Sequence, residues 1–258
     1  MSGCPAHAAA GATDDPMLRW LLRTCRHQIA AGRRPVLGLN GPVGAGKTTL
    51  SRQLQQGCAA AGLHLAVASI DDAYWPWPER RRRLVGNPFG VTRVPPGSHD
   101  PHALLAPIQR WRDAPLSPDT AAAALALPRF DKRLRGGAGD RINDWQGQAD
   151  AVLIEGWLIG CRPLAEAAIK RSSIFSALDS RAQAWLLQCN RALADYQPLW
   201  AAIDGLMVLW PTSWDAPRRW RFQAEARQRR AGGGWMPAAE LDQLIKASLE
   251  SLPAELYQ

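Results

Sequence analysis

The sequence predicts an α/β fold with a parallel sheet flanked by helices, and three observations predict it. Short apolar runs stand at 35–40, 65–70, 151–155 and 205–210, the pattern of strands buried on both faces. Stretches with apolar residues at helical spacing separate them. A glycine-rich stretch at 41–48 joins the first run to a helix, so residues 35–70 read as a strand–loop–helix–strand unit.

The elements follow in order. Residues 1–16 are small and polar and lack the basic start and apolar block of a secretory signal, so they read as a flexible tail. Residues 17–258 read as one domain. Its first helix spans 17–31 and ends at Gly32; a second spans 49–61 and closes near Gly62. Residues 73–148 are rich in Pro, Gly, Trp and Arg, with one helical segment near 101–112 and an alanine-rich piece, 121–127, that stops at Pro128. They read as substrate-facing loops and short helices inserted into the sheet. A helix over 181–203 precedes the fourth strand; a basic helix over 216–230 stops at the glycines 232–234, and an amphipathic helix covers 237–252. There is no internal repeat.

Composition narrows the class. The 258 residues are 47% hydrophobic and 21% charged, which excludes global disorder. No stretch of 18 apolar residues lacks a charge, so no membrane-spanning helix is expected. Five cysteines, an odd number without a CxxC pair, point to reduced thiols in a cytoplasm and away from a disulfide framework or zinc site. The net charge is +8, and all basic residues but Lys47, Lys132, Lys170 and Lys246 are arginines. Such a surface suits nucleic acid, an acidic surface or a small anionic substrate, and equally a solvated face biased towards arginine. No oligonucleotide-binding signature accompanies it, so no nucleic-acid partner is expected. The twelve tryptophans read as packing.

The strongest local signal is Gly41-Pro42-Val43-Gly44-Ala45-Gly46-Lys47-Thr48, which fits G-x-x-x-x-G-K-[ST] throughout. Glycines let the backbone curl so that successive N–H groups face one phosphate, and the following helix offers its positive end to the same anion. Lys47 is expected at the β- and γ-phosphates of ATP or GTP and the Thr48 hydroxyl on Mg²⁺. Ligands of an open parallel sheet sit beyond the carboxyl ends of its strands. Asp71 and Asp72 follow the second strand and Glu155 closes the third. A phosphotransferase needs one such acid as base and another near the metal; the alternatives are a helix N-cap or turn for the aspartate pair and a structural acid at 155. Lys132 and Arg141 flank a glycine-bearing loop that suits an anion clamp or lid and equally a solvated surface. His99 with Asp100 reads first as an ordinary turn and second as a pair orienting a substrate hydroxyl.

The series GPVGAGKTT (41–49), SIDDAY (69–74), GNP (86–88), PGSHD (96–100), LPRFDK (127–132), GDR (139–141) and VLIEGW (152–157) resembles the D-glycerate 3-kinase family. That family belongs to the P-loop kinases related to phosphoribulokinase, uridine kinase and pantothenate kinase. The resemblance covers roughly residues 35–240. It implies transfer of the ATP γ-phosphate to a hydroxyl of glycerate, a five-stranded parallel sheet and, in phototrophs, a role in photorespiratory glycolate salvage. It puts the catalytic base on Asp71 and the Walker-B-like acid on Glu155. Three positions depart from the family's usual residues: Ala73 for an aromatic residue, Val94 for glycine and Ser98 for threonine.

Residues and resemblance together give an expected mechanism. Backbone N–H groups of 43–48, with Thr49 behind them, cradle ATP; Lys47 neutralises the transferred phosphoryl; Thr48 holds Mg²⁺ with Glu155, and Asp72 through water; Asp71 takes the acceptor's proton. Arg93, His99, Asp100, Lys132 and Arg141 are the candidates for the glycerate carboxylate and the moving phosphoryl group. Two rivals remain at this level. One is a kinase of the same fold acting on a nucleoside, pantothenate or a sugar phosphate. The other is a nucleic-acid- or protein-binding ATPase, suggested by the charge of +8. Oligomeric state is left open.

Overall fold

The computed structural model describes residues 15–115, 122–213, 215–230, 232 and 236–257. Residues 1–14 of the expected tail, Ala121, and Gly233 and Gly234 of the expected helix stop lie outside the described residues. Asp15 and Pro16 do not belong to a tail. The Asp15 carboxylate accepts from the Met17 amide at 2.8 Å and Pro16 takes the first helical position, where no amide is needed, so they open α1 (Pro16–Ala30).

β1 (Val36–Asn40), α2 (Lys47–Ala60) and β2 (Leu65–Ser69) follow as the expected unit. A 3₁₀ turn (Ile70–Ala73) leaves β2, and α3 (Trp77–Arg83) and α4 (His102–Asp113) come next. β3 (Ala123–Asp131), β4 (Asp140–Ala149) and β5 (Ala151–Gly156) precede the short helices α5 (Glu166–Lys170) and α6 (Ser173–Ala177). The helix expected over 181–203 is two, α7 (Ser180–Ala192) and α8 (Gln197–Ala201), because the chain tightens into a 3₁₀ turn at Leu193–Tyr196 and Pro198 offers no amide to continue the first. β6 (Gly205–Val208), α9 (Ala216–Arg230), α10 (Ala238–Ser251) and α11 (Ala254–Tyr257) complete the order.

The main sheet is parallel throughout, in the order β2-β5-β1-β6. Its central strands are apolar because both faces are covered. Alternate residues, Leu37, Leu39 and Leu153, meet Leu21, Cys25, Leu54 and Cys58 of α1 and α2. The others, Val36, Val152 and Ile154, meet Ile108 and Trp111 of α4 and Trp185 of α7. The sheet has four strands among the described residues, not five. Among the described residues the chain after β6 continues into helices, and Leu206 and Val208 stand exposed on that edge strand.

The insertion differs from its expected form as well. It contains an antiparallel hairpin, in which β3 pairs with β4 from Ala123↔Ala149 to Asp131↔Asp140. Alanines and a proline disguise the first strand. The register shifts between Leu127 and Arg129, so Pro128 sits at the irregularity, where a missing donor costs no ladder bond. Arg129 fastens the hairpin to the main sheet through the Val67 carbonyl at 3.2 Å.

Val94 has φ 94°, in the region that favours glycine. Val94 also packs against the core, so in Val94→Gly the relief of strain is offset by lost burial and by the entropy that glycine loses on folding, and the denaturant midpoint shifts by less than about 1 kcal/mol in stability. The four described cysteines are free and buried. Burial pushes the thiols of Cys25 and Cys161 up to about 12, which keeps them protonated. Among the described residues no helix is long and apolar enough to cross a membrane.

Candidate active site

The strand register builds the site. Leu39 and Ser69 both lie level with Glu155, so the loop after β1, the turn after β2 and the acid ending β5 share one edge. The loop is tied there by the Gly41 amide, which donates to the Gly156 carbonyl at 3.2 Å. Pro42 is buried and Val43 packs against the core, while the Ala45 amide donates back to Pro42 at 3.2 Å. Gly44 and Gly46 have φ 87° and 80°, the curl expected of an anion cradle. Gly46 caps α2 without a side chain, which leaves the first-turn amides around Lys47–Thr49 open to a ligand. α9 lies directly across this loop: a Cβ at Gly44 would come within 2.8 Å of the Arg221 nitrogen and 2.9 Å of the Pro217 carbonyl.

Lys47 Nζ donates to the carbonyls of Gly41 at 2.7 Å and Pro42 at 3.0 Å. Burial lowers its pKa, opposed by the charges of Glu155 and Asp71. Burial likewise raises the Glu155 carboxyl, opposed by Lys47. The Thr48 hydroxyl donates to Glu155 Oε1 at 3.2 Å. A hydroxyl and a buried carboxylate are hard oxygen donors that fit Mg²⁺, which takes few protein ligands and completes its shell with phosphates and water. Among the described residues no cluster of three or more His, Cys, Asp or Glu side chains offers a self-sufficient metal site.

The turn after β2 points its two aspartates apart. Asp72 closes a capping box with Ser69 and takes Arg129 Nη1 at 2.8 Å and the Phe130 amide at 3.3 Å. The structure therefore gives Asp72 a turn-capping role, with its two carboxylate oxygens taken by the Ser69 amide and by hairpin partners. Asp71 projects into the site. Its Oδ1 accepts from the Tyr74 hydroxyl at 2.8 Å and its Oδ2 from Lys132 Nζ at 2.7 Å. Burial alone would push this carboxyl up, but Lys132 and then His99 outweigh it and hold it well below the usual carboxylate range.

The other candidates separate by what they touch. Residues 73–75 pair with 98–100 through Trp75 N–H to Ser98 O at 3.0 Å and Asp100 N–H to Ala73 O at 2.7 Å, which sets His99 behind Asp71. His99 is fully buried and stacked on Tyr74, with ring centroids 4.4 Å apart, so it is not a surface turn. Arg141 is engaged by Tyr74 O at 2.8 Å, Ala73 O at 3.4 Å and Asp100 Oδ2 at 3.3 Å, so Arg141 and Asp100 brace the backbone that carries Asp71. Arg93 is buried and donates to the Gly137 carbonyl. No described carboxylate lies in ion-pair range of it. With Lys132 it lines a cavity of about 990 Å³ bounded also by Phe89, Arg133, Arg221 and the start of α10.

Sequence reasoning passed over Arg80 and Tyr196. Arg80 is fully buried and binds the carbonyls of Trp75 (2.7 Å), Thr92 (2.8 Å), Ala138 (2.8 Å) and Gly139 (2.7 Å). It joins the loops around the cavity. Tyr74 stands in the SIDDAY motif without an assigned role, and its aromatic neighbours Phe130 and His99 were the available signal. Nothing local to Tyr196 marks it, because its partners lie 97 and 99 residues away.

No family model matches the chain. An uncharacterized kinase of Schizosaccharomyces pombe, mug58, is 31% identical over 209 residues, covering 75% of this chain and 71% of that protein. The chloroplastic D-glycerate 3-kinase of Arabidopsis thaliana is 29% identical over 231 residues, covering 86% of this chain; the chain spans about half, 47%, of that enzyme's length. The solved D-glycerate 3-kinase of Cryptococcus neoformans var. grubii superposes with a TM-score of 0.78 at 25% identity, covering 97% of this chain and 89% of that one. On these likenesses, and with a phosphate loop and strand-end carboxylates on one sheet edge of its own, the chain belongs to the D-glycerate 3-kinase family of P-loop kinases.

Proposed function

We propose that this chain transfers the γ-phosphoryl group of ATP to the primary hydroxyl of D-glycerate, giving 3-phosphoglycerate and ADP. The observation that carries the reading is the register that levels Ser69 and Leu39 with Glu155, since it sets the Asp71 turn and the phosphate loop on one sheet edge. The open amides of the loop and of α2 hold the phosphates, and Lys47 balances the charge that builds on the phosphoryl group. Thr48 and Glu155 would hold Mg²⁺, whose chemistry there is to neutralise phosphate oxygens. Asp71, ionised across the physiological range, orients the acceptor hydroxyl and receives its proton as the oxygen attacks phosphorus in line. Lys132 is shared between Asp71 and the incoming phosphoryl group.

A guanidinium buried without a counter-ion is costly, so Arg93 on the cavity wall is the group that best fits the acceptor's carboxylate. Arg93→Gln raises the KM for glycerate about 10–100-fold, the loss of a charge-assisted hydrogen bond, and leaves the KM for ATP unchanged. The free thiols suit a cytoplasmic location. One observation favours a second reading. A cavity of about 990 Å³ is roomy for a three-carbon acid, and Phe89 on its wall offers a ring for a larger acceptor to stack on. Labelled ATP with a panel of glycerate, nucleosides, pantothenate and sugar phosphates separates the two. Label in a nucleoside or sugar phosphate with none in glycerate would reverse the choice.

A further inference from the structure

Behind Asp71 lies a buried polar chain that the proposed chemistry does not yet use. The Gly97 amide donates to the Tyr196 hydroxyl oxygen at 3.0 Å, and that oxygen lies 2.9 Å from His99 Nδ1. A phenol has one proton. The oxygen accepts from Gly97 and can give that proton to Nδ1, and the carboxylate facing Nε2 favours the tautomer whose hydrogen stands there, so Nδ1 accepts from Tyr196 and Nε2 bears the ring hydrogen. His99 Nε2 is fully buried, has no hydrogen-bond partner within normal range, and faces Asp71 Oδ1 at 3.6 Å. The opposite tautomer would set a lone pair against a carboxylate in a dry pocket. Tyr74 clamps the same place from its other side, stacking on the His99 ring and donating to the same Oδ1. Tyr196 packs edge-on to His99, with ring centroids 5.9 Å apart, and stacks on Trp200.

We infer that His99 and Tyr196 are positioning residues for the Asp71 base: Tyr196 sets the His99 tautomer, and His99 with Tyr74 holds Oδ1, so that Oδ2 is the oxygen that takes the acceptor's proton. The inference rests on the phosphotransferase reading above. As the acceptor oxygen bonds to the γ-phosphorus and the bond to the β-bridging oxygen breaks, the acceptor's proton passes to Oδ2. Lys132, half-exposed on a flexible stem, is the partner that can leave Oδ2 for the phosphoryl group. Oδ1 is held against exchange with Oδ2 by the Tyr74 hydroxyl at 2.8 Å, with the buried His99 ring facing the same oxygen. The 3.6 Å gap is of the kind that closes when a substrate fills the site.

The test measures glycerate-dependent kcat, KM for both substrates and affinity for an ATP analogue in the full chain. His99→Phe keeps the ring on Tyr74 and removes the donor; His99→Gln removes the ring and can return an amide N–H near the Nε2 position. Misplacing the base without emptying the site lowers kcat by about 10²-fold, so His99→Phe should do so with ATP-analogue affinity and KM for ATP intact. His99→Gln should recover most of that loss, and neither change should lower the residual rate of Asp71→Asn further. If Phe performs as well as Gln, or if the losses multiply in the Asp71→Asn background, His99 is packing only and the inference is overturned. Should His99→Phe lose the ATP analogue, Tyr196→Phe decides: a lowered kcat at unchanged KM for ATP supports the inference, and a wild-type kcat overturns it. Wild-type chain that transfers nothing to glycerate would instead remove the reading on which all of this stands.

Discussion

Asp71→Asn lowers kcat by about 10²–10⁴-fold and leaves ATP affinity near that of the wild type. The size is that of a lost general base, and the selectivity follows from where the side chain sits. Asp71 contacts Tyr74 and Lys132, with no bond to the phosphate loop, so the nucleotide cradle keeps its shape when the carboxylate becomes an amide. Asparagine can still accept from Tyr74, so the substitution removes the base without removing the brace. Steady-state rates with glycerate and binding of an ATP analogue check both halves; a variant within a few-fold of wild-type kcat would take the base role away from Asp71. A second consequence follows from linkage. The Asp71 carboxyl is held well below its ordinary range, so its contribution to stability is present at neutral pH and is lost as pH falls through the depressed value. Asp71→Asn has no such loss. The stability difference between the two proteins therefore narrows in acid, which denaturant midpoints at neutral and low pH would record.

Lys47→Met costs about 10²–10³-fold in kcat, and here ATP affinity falls as well. Methionine keeps the length of the stem and deletes the charge. The ammonium sits at the mouth of the cradle, on the carbonyls of Gly41 and Pro42, and its charge reaches both Glu155 and Asp71. Deleting it removes a preorganised cation from where phosphoryl charge develops. It also leaves two carboxylates at one sheet edge with less to balance them, which works against a polyanionic ligand. The signature separating this variant from Asp71→Asn is the nucleotide: analogue affinity drops in one and holds in the other. Equal affinity in both would mean that Lys47 does not meet the phosphates.

The parts of this molecule that could be read from the chain are those whose causes are local. Strand β1, the glycine loop and α2 announce themselves through an apolar run, glycines at the two positive-φ positions and a lysine–threonine pair, all within 25 residues. The strand-end position of Asp71 and Glu155 follows from the same reasoning. The hairpin was hidden because alanines carry little strand signal and Pro128 argues against a strand unless an irregularity excuses it. The roles of Asp72, Asp100 and Arg141 were hidden for another reason. A carboxylate or guanidinium next to a motif looks the same in sequence whether it meets a ligand or a neighbouring backbone, and the deciding contacts, Asp72 with Arg129, Asp100 with Arg141 and Arg141 with the carbonyls of Ala73 and Tyr74, span 41 to 68 residues. Arg80 shows the same limit, since an arginine among arginines gives no hint that it is the buried one.

The nucleotide signature leaves position 44 free to be anything, yet this molecule has no such freedom. Its backbone turns the wrong way for an L side chain, and the helix laid over it presents main-chain atoms that no rotamer change can move aside. Variation across relatives at this site should therefore track whether a helix is laid there at all, and a pattern search alone will overstate how many substitutions such a loop can absorb.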